Sequence, residues 1–508
     1  MKKIIISKDP WETRAAITDD ERLQNIYFSY HTQNNLERCF YKGLVSKVLP
    51  GIQTAFVDIG QEKAGFLHIS EIDRDLALGR MKETLAIDED VEPEKEQRES
   101  RPHKSPPDIA KILKEGEPIL VQVSKEPVYE KGPKLTTCYT LPGRFIVLMP
   151  NIPRIGISKK IEDKIERTRL KTIVAEHLQD GMGAIIRTSS EHRTDREIIQ
   201  DLSYLTHTWQ TIQAAFKEAK PKEKIYQDLD LPLAVVRDNL DNDVEAVITD
   251  NKGLQDTIYR YVQEIAPEYT HKIKYYHGVI DLFTKYNIDA QLQEALQKKT
   301  QLKSGGSIII ESAEAMTVID VNTGKYIGST NLEDTVLQTN LEAAQEIVRQ
   351  LRLRNIGGLI VIDFIDMQSG QNRQKLYRYL EQTLKEQDKF QSVVLKVSEF
   401  GLVQMTRKRS GKTLMQQLMQ TCPQCHGIGA IKSLKTECFD VLRQIDHELK
   451  ALKSAKKVQL SLRNAIFQQL TSIEYNSILE LEKANKCVIM LVSNDSIAPF
   501  SYTLQVIE

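Results

Sequence analysis

The chain has 508 residues, 41% hydrophobic and 27% charged, enough for several hydrophobic cores and about three to four domains at roughly 150 residues each. Lys plus Arg number 69 against 70 Asp plus Glu, a formal net charge of −1, which excludes a histone-like binder of polyanions by bulk charge but not local basic surfaces. Six cysteines exclude a disulfide scaffold, and neither the short apolar run at Met1-Lys-Lys-Ile-Ile-Ile-Ser-Lys-Asp nor the Asp363-broken stretch near 356–365 fits a signal peptide or a membrane span, so a cytoplasmic protein is expected.

From Cys39 to Ile72 short alternating runs are punctuated by Pro50-Gly51, which predicts strands and turns. Residues 80–108 are rich in Glu, Asp, Lys and Pro and read as a solvated insertion. Strand texture returns at Pro118-Ile-Leu-Val-Gln-Val-Ser-Lys and at Lys134, so the segment predicts a small barrel of the OB type. Next come a strand at Phe145-Ile-Val-Leu-Met, a helix over Lys159–His177, a strand at Ala184-Ile-Ile-Arg and a helix from Asp201 to Glu218. The stretch from 235 to 300 shows no clear partition. Residues 307–400 read as strands at Ser307 and Met316, a helix from Asn331 to Arg354, a buried strand at Gly358, a helix from Gln374 to Gln387 and a strand at Ser392. That alternation predicts parallel crossovers. Beyond Cys425 a polar helical stretch and a final strand at Lys486 read as a small separate domain.

Asp320 ends one apolar strand and Asp363 ends the next, with one helix between. A right-handed crossover would lay these strands side by side and gather both carboxylates in one crevice. Two close carboxylates repel unless a cation lies between them, and Mg²⁺ suits such oxygen ligands. Asn322 follows on the same face. The plainer alternative is two aspartates that end strands or cap turns.

Ile319-Asp-Val-Asn-Thr-Gly-Lys, Thr339-Asn-Leu-Glu-Ala-Ala, Arg349-Gln-Leu-Arg-Leu-Arg and Gly357-Gly-Leu-Ile-Val-Ile-Asp-Phe-Ile-Asp-Met closely resemble the catalytic domain of the ribonuclease E/G family. The resemblance runs through nearly the whole chain. It implies a multidomain α+β and α/β protein, with an OB-type S1 barrel at 36–135 inserted in an RNase H-like domain formed by 1–35 with 235–295. A 5′-end sensor region at 136–234 and a DNase I-like catalytic α/β domain at 296–418 would follow. A zinc link at 419–432 and a small domain at 433–508 would complete the chain. It also implies Mg²⁺ held by Asp320 and Asp363, assistance from Asn322, and RNA products with 5′-phosphate and 3′-hydroxyl ends; Asp366 stands near enough to support the site and is read as structural. Because the sequence stops after the small domain, a short member without a disordered scaffold is expected.

Cys422-Pro-Gln-Cys425-His-Gly-Ile-Gly has the spacing of half a tetrahedral Zn²⁺ site. Such a half-site can be completed across a two-fold axis; a redox dithiol is the alternative. The resemblance implies the shared zinc, and a dimer of such dimers. Phe56 and Phe66 lie in neighbouring barrel strands near Lys63 and Lys125, a set able to stack bases and track phosphates if the rings are not core. The resemblance implies RNA contacts for Phe56, Phe66 and Lys125. Arg187 and Thr188, at the end of a strand, suit a terminal phosphate. The resemblance implies a 5′-monophosphate pocket there, with a backbone amide from Val147. Ser189-Ser190 stands where the family often has Ala-Gly, and Gln391 lies where a supporting arginine is expected. The run Arg407-Lys-Arg-Ser-Gly-Lys412 reads either as a solvated linker or as a phosphate-neutralising patch.

The expected protein is therefore a Mg²⁺-dependent endoribonuclease for single-stranded RNA, acting in rRNA and tRNA processing and mRNA decay. Its rivals are a non-catalytic RNA-binding or ribosome-maturation factor and a dithiol redox protein.

Overall fold

Ile4, Ile5 and Ile6 are consecutive and all fully buried, which requires a strand covered on both faces. In the computed structural model, Lys2–Lys8 is the centre of a five-stranded sheet, flanked by Val244–Thr249 in parallel and Glu12–Asp19 antiparallel. Two segments more than 200 residues apart thus share one sheet, which is why 235–300 had no self-contained pattern. The structure describes residues 1–30, 36–72, 87–88, 109–127, 132–323, 332–409, 411–452, 456–498 and 501–507. The expected insertion at 80–108 falls outside these residues, save for the two-residue strand Ile87–Asp88.

Five strands close a barrel: Phe40–Leu49, Thr54–Asp58, Gly65–His68, Lys134–Thr136 and Pro118–Lys125, the last pairing back onto the first. Val45, Ala55, Val57, Leu67, Val121, Val123 and Leu135 fill it. A second sheet runs Leu141–Pro142, Ile146–Met149, Gly183–Ile186, Ile155–Ser158 and Ile87–Asp88, against helices Lys164–His177 and Asp195–Glu218. The latter helix begins six residues earlier than expected, because Thr194 and Glu197 form a reciprocal capping box.

The third sheet has the order Lys299–Gln301, Ser307–Ser312, Met316–Asn322, Gly358–Asp363, Leu402–Arg407, Ser392–Val394. Among the described strands of this sheet, only Met316–Asn322 and Gly358–Asp363 are parallel neighbours. The second expected crossover keeps its parallel direction but not adjacency: Leu402–Arg407 slips between Gly358–Asp363 and Ser392–Val394, antiparallel to both, so those two strands run the same way without pairing. Its alternation buries Val403, Met405 and Arg407, so Arg407 belongs to the core and not to a solvated run. Helices Leu332–Leu353 and Gly370–Gln387 cover one face of this sheet through Ile319, Ile360, Ile362, Ala344, Ile347 and Leu376. Among the described residues nothing covers the other face, where Met316, Val318 and Leu359 are exposed.

Residues 418–508 form a compact unit of their own. Its sheet runs Val488–Ser493, Lys457–Leu462, Thr503–Val506, with the centre strand parallel to the first and antiparallel to the last. Helices Leu434–Ala451, Asn464–Ser472 and Tyr475–Asn485 supply Cys438, Ile445, Ile466 and Ile478 to its core. Among the described residues no helix is long and apolar enough to cross a membrane.

Candidate functional site

Parallel pairing sets Asp320 directly opposite Asp363. Side chains alternate faces along a strand, so buried Ile319 and Ile362 force both carboxylates, and Asn322, onto the bare face. The Asn322 Nδ2 donates to Asp320 Oδ2 at 2.8 Å, which orients that carboxylate. Burial and then the charges of Asp320 and Asp366 push the Asp363 pKa up. Crowded negative charge with hard oxygen donors on an open face is a donor set that fits Mg²⁺. Among the described residues no group of three or more His, Cys, Asp or Glu side chains is arranged as a metal cage. Two protein carboxylates, with the remaining positions left to water and substrate, match how Mg²⁺ is commonly held. Asn340, which the sequence reading did not single out, is fully buried and brackets the following turn: its Nδ2 donates to Ile365 O at 2.8 Å and its Oδ1 accepts from Ile365 N at 3.0 Å.

On the barrel, Phe56 and Phe66 are register partners and half-buried, because their neighbours Ala55, Val57 and Leu67 point inward. The core-filling alternative fails for both rings. Register extends the row across five strands: Lys47 opposite Phe56, Phe66 opposite Lys134, Lys134 opposite Lys125. The His68 ring stacks beside Phe66 at 6.4 Å between centroids. Lys47, His68 and Lys134 were missed, since a row running across strands leaves no spacing along the chain.

Arg187 leaves the Gly183–Ile186 strand with its amide donating to Phe145 O at 2.8 Å. Its Nη1 donates to Gly143 O at 2.6 Å and to Asp238 Oδ1 at 2.8 Å. Burial would raise the Asp238 pKa, but the guanidinium groups of Arg187 and Arg237 outweigh it and hold that carboxyl well below the usual range. The receiving loop is fixed by buried Asp201, whose carboxylate accepts from the amides of Arg144, Phe145 and Ile146 at 3.0, 2.8 and 3.0 Å. Ser189 and Ser190 lock the same loop, their hydroxyls donating to Arg144 O and Phe145 O at 2.7 Å. Thr188 is exposed and shares a 3.0 Å hydrogen bond with Ser158. Val147 lies inside the sheet, paired with Pro142 on one side and Ile185 on the other. Gln391 is exposed; two residues earlier, Lys389 turns its ammonium group to Asn239 Oδ1 at 2.7 Å and Asp238 O at 3.3 Å.

Cys422 is exposed and Cys425 half-buried. His426, Gly427 and Gly429 have φ of 49°, 88° and 79°, a left-handed turn that folds the chain back on the thiols. The amides of Gly429 and Gly427, with the Cys422 thiol, pull the Cys425 pKa below the ordinary thiol value. A stabilised Cys425 thiolate, with Cys422 at CxxC spacing, fits half of a zinc site. Cys438 and Cys487 are core residues, and burial pushes the Cys438 thiol up to about 11.

A model of the ribonuclease E/G family matches residues 140–410, and a model described as the RNase E/G thioredoxin-like domain matches residues 421–507. Within the latter stretch the Cys422–Cys425 turn precedes helix Leu434–Ala451, while the first strand, Lys457–Leu462, comes later. The turn is therefore not at a strand-to-helix join. Ribonuclease G of Escherichia coli (strain K12) is 37% identical over 480 residues, 94% of each chain. Ribonuclease G of Salmonella typhimurium (strain SL1344) is 39% identical over 443 residues, 87% of each. Ribonuclease E of Escherichia coli (strain K12) is 33% identical over 515 residues, all of this chain and 46% of the relative. On the extent of these matches, the chain belongs to the ribonuclease E/G family.

Proposed function

We propose that the chain, an endoribonuclease of the ribonuclease E/G family, hydrolyses internal phosphodiester bonds of single-stranded RNA with Mg²⁺ at Asp320 and Asp363, leaving 5′-phosphate and 3′-hydroxyl ends. The observation that carries this reading is the direct register of Asp320 with Asp363 on an uncovered sheet face. Bound there, Mg²⁺ would lower the pKa of a water and offset charge on a phosphodiester oxygen. Asp320 and Asp363 would hold the ion through their oxygens, and Asn322 keeps Asp320 turned to its task. The residue types on the barrel support the choice of substrate: rings stack only on unpaired bases, while Lys47 and Lys125 meet phosphates. In this reading the barrel is the OB-type S1 domain, the Lys2–Lys8 sheet is RNase H-like and the Met316–Asn322 sheet is DNase I-like. The pathways served are rRNA and tRNA processing and mRNA decay in the cytoplasm.

The test is incubation with 5′-monophosphorylated single-stranded RNA in Mg²⁺ and in excess EDTA. Internal cuts that EDTA abolishes are expected. Binding without cutting would favour a non-catalytic RNA-binding factor. Phe56→Ala with Phe66→Ala should weaken RNA binding by about 10²-fold, at ~1–3 kcal/mol per stacked base. Fluorescence anisotropy in EDTA reads this directly, and an unaltered Kd would remove the barrel from the reading.

Arg187 and Thr188 would sense a 5′-monophosphate, with a backbone amide from Val147, which pairs with Ile185 in the strand that leads to them. Only Nη1 of Arg187 is engaged by described residues. Arg187→Gln should bring the rate on 5′-phosphorylated RNA down toward that on 5′-hydroxyl RNA, and equal stimulation in the variant would contradict a sensor there. Cys422 and Cys425 would share Zn²⁺ with a second chain, making a dimer, and two dimers a tetramer. Cys422→Ala should sediment as a smaller particle with less zinc and unchanged far-ultraviolet circular dichroism. Unchanged mass and metal content would refute the link.

A further inference from the structure

A cavity of about 340 Å³ lies between the Arg22–Tyr30 strand, the end of helix Leu332–Leu353 and the segments 388–390 and 411–417. That is the size range of small-molecule pockets. Its walls carry four cations, Arg352, Lys389, Arg407 and Lys412, against one carboxylate, Asp388. Both oxygens of Asp388 are already taken by Arg407, at 2.6 and 3.0 Å. Among the described residues, Arg352 Nη2 donates to Asn25 Oδ1 at 2.7 Å, and the Lys389 ammonium donates to Asn239 Oδ1 and Asp238 O, all of them neutral oxygens.

Taking a cation out of water is costly, and for Arg352 and Lys389 the carboxylates nearby, Asp388 and Asp238, offset that cost only in part. Burial pulls the Arg352 pKa down, and the surrounding protein pulls Lys389 down to about 8 although that residue is exposed. An anion in the cavity would relieve both. The wall also carries aromatic rings, Tyr27 and Phe390, the latter already faced by the Arg407 guanidinium at 4.8 Å from its centroid. Rings beside cations suit a flat base joined to a phosphate better than a bare anion, because stacking adds to the charge-assisted contacts.

We propose that this cavity is a binding site for a free nucleoside 5′-monophosphate, its phosphate met by Arg352, Lys389 and Lys412 and its base by Tyr27 and Phe390. The site is separate from the Asp320–Asp363 pair and from the barrel row, so it stands or falls independently of the cleavage reading. Lys389 also touches the loop of Asp238, the carboxylate that holds Arg187.

Isothermal titration of the full chain with AMP, adenosine and inorganic phosphate, without Mg²⁺, tests this. One AMP per chain is expected, with adenosine and phosphate each at least tenfold weaker. Arg352→Gln should weaken AMP at least tenfold and Lys412→Gln severalfold. Phe56→Ala with Phe66→Ala, and separately Arg187→Gln, should retain AMP within about threefold. Lys412 is exposed, so its variant remains informative if Arg352→Gln lowers stability. No AMP binding, full affinity in both cavity variants, or affinity lost in the barrel or Arg187 variants would each overturn the proposal. A positive result with Arg352 and Lys412 dependence would uphold it even if the chain cut no RNA.

Discussion

Replacing Asp363 by Ala should lower single-turnover cleavage of single-stranded RNA by about 10³-fold, with RNA affinity in EDTA little changed. Asp363 is one of two carboxylates meeting across a parallel strand pair, and its pKa is raised by burial, Asp320 and Asp366. Removing it eases that repulsion, so the fold should not suffer. What disappears is an oxygen ligand from a set of two, and with it charge stabilisation where the transition state needs it; losing one such stabilising group costs about 10²–10³-fold. A variant that cuts within tenfold of the unmodified chain would remove Asp363 from the chemistry. The split between rate and affinity matters because a merely structural aspartate would lower both together.

Asp388→Ala should destabilise the chain by about 3–5 kcal/mol, the cost of leaving one member of a buried ion pair alone. The Asp388 and Arg407 side chains are each 1% exposed and joined by two charge-assisted hydrogen bonds. Arg407 would keep only its bond to Ile356 O at 2.6 Å. The Lys160 bond to the Asp388 backbone oxygen would survive, since it does not use the side chain. The double change Asp388→Leu with Arg407→Met should cost clearly less, because no charge is then stranded. Urea denaturation checks both, and a loss below about 1 kcal/mol for the single change would show that water reaches the pair.

The same pair marks a limit of the sequence reading. Arg407 stands in a run of four basic residues among six and reads as solvated. The alternation Leu402-Val-Gln-Met-Thr-Arg was present but masked by the charges that follow it. Its partner is 19 residues away, so no local spacing announces the pairing. The acids at strand ends were legible for the opposite reason. Apolar runs ending in Asp, separated by one helix, leave few topologies, and a right-handed crossover places the two strands together. Asp238 and Asp201 were invisible, because each acts on groups 51 to 57 residues distant through the folded loop. The barrel rings were legible as aromatics on adjacent strands. Their exposure, and the lysines extending the row, appeared only with register. The stretch 235–300 could not be parsed because its strand completes a sheet begun by Lys2–Lys8.

The most direct test of the central claim is the fate of a circular single-stranded RNA, which offers no end to an exonuclease. With Mg²⁺, the unmodified chain should convert it to linear fragments bearing 5′-phosphate and 3′-hydroxyl ends, more slowly than it cuts a 5′-monophosphorylated linear RNA. Asp320→Ala and Asp363→Ala should leave the circle closed. A circle untouched by the unmodified chain, or opened equally by both variants, would contradict the account.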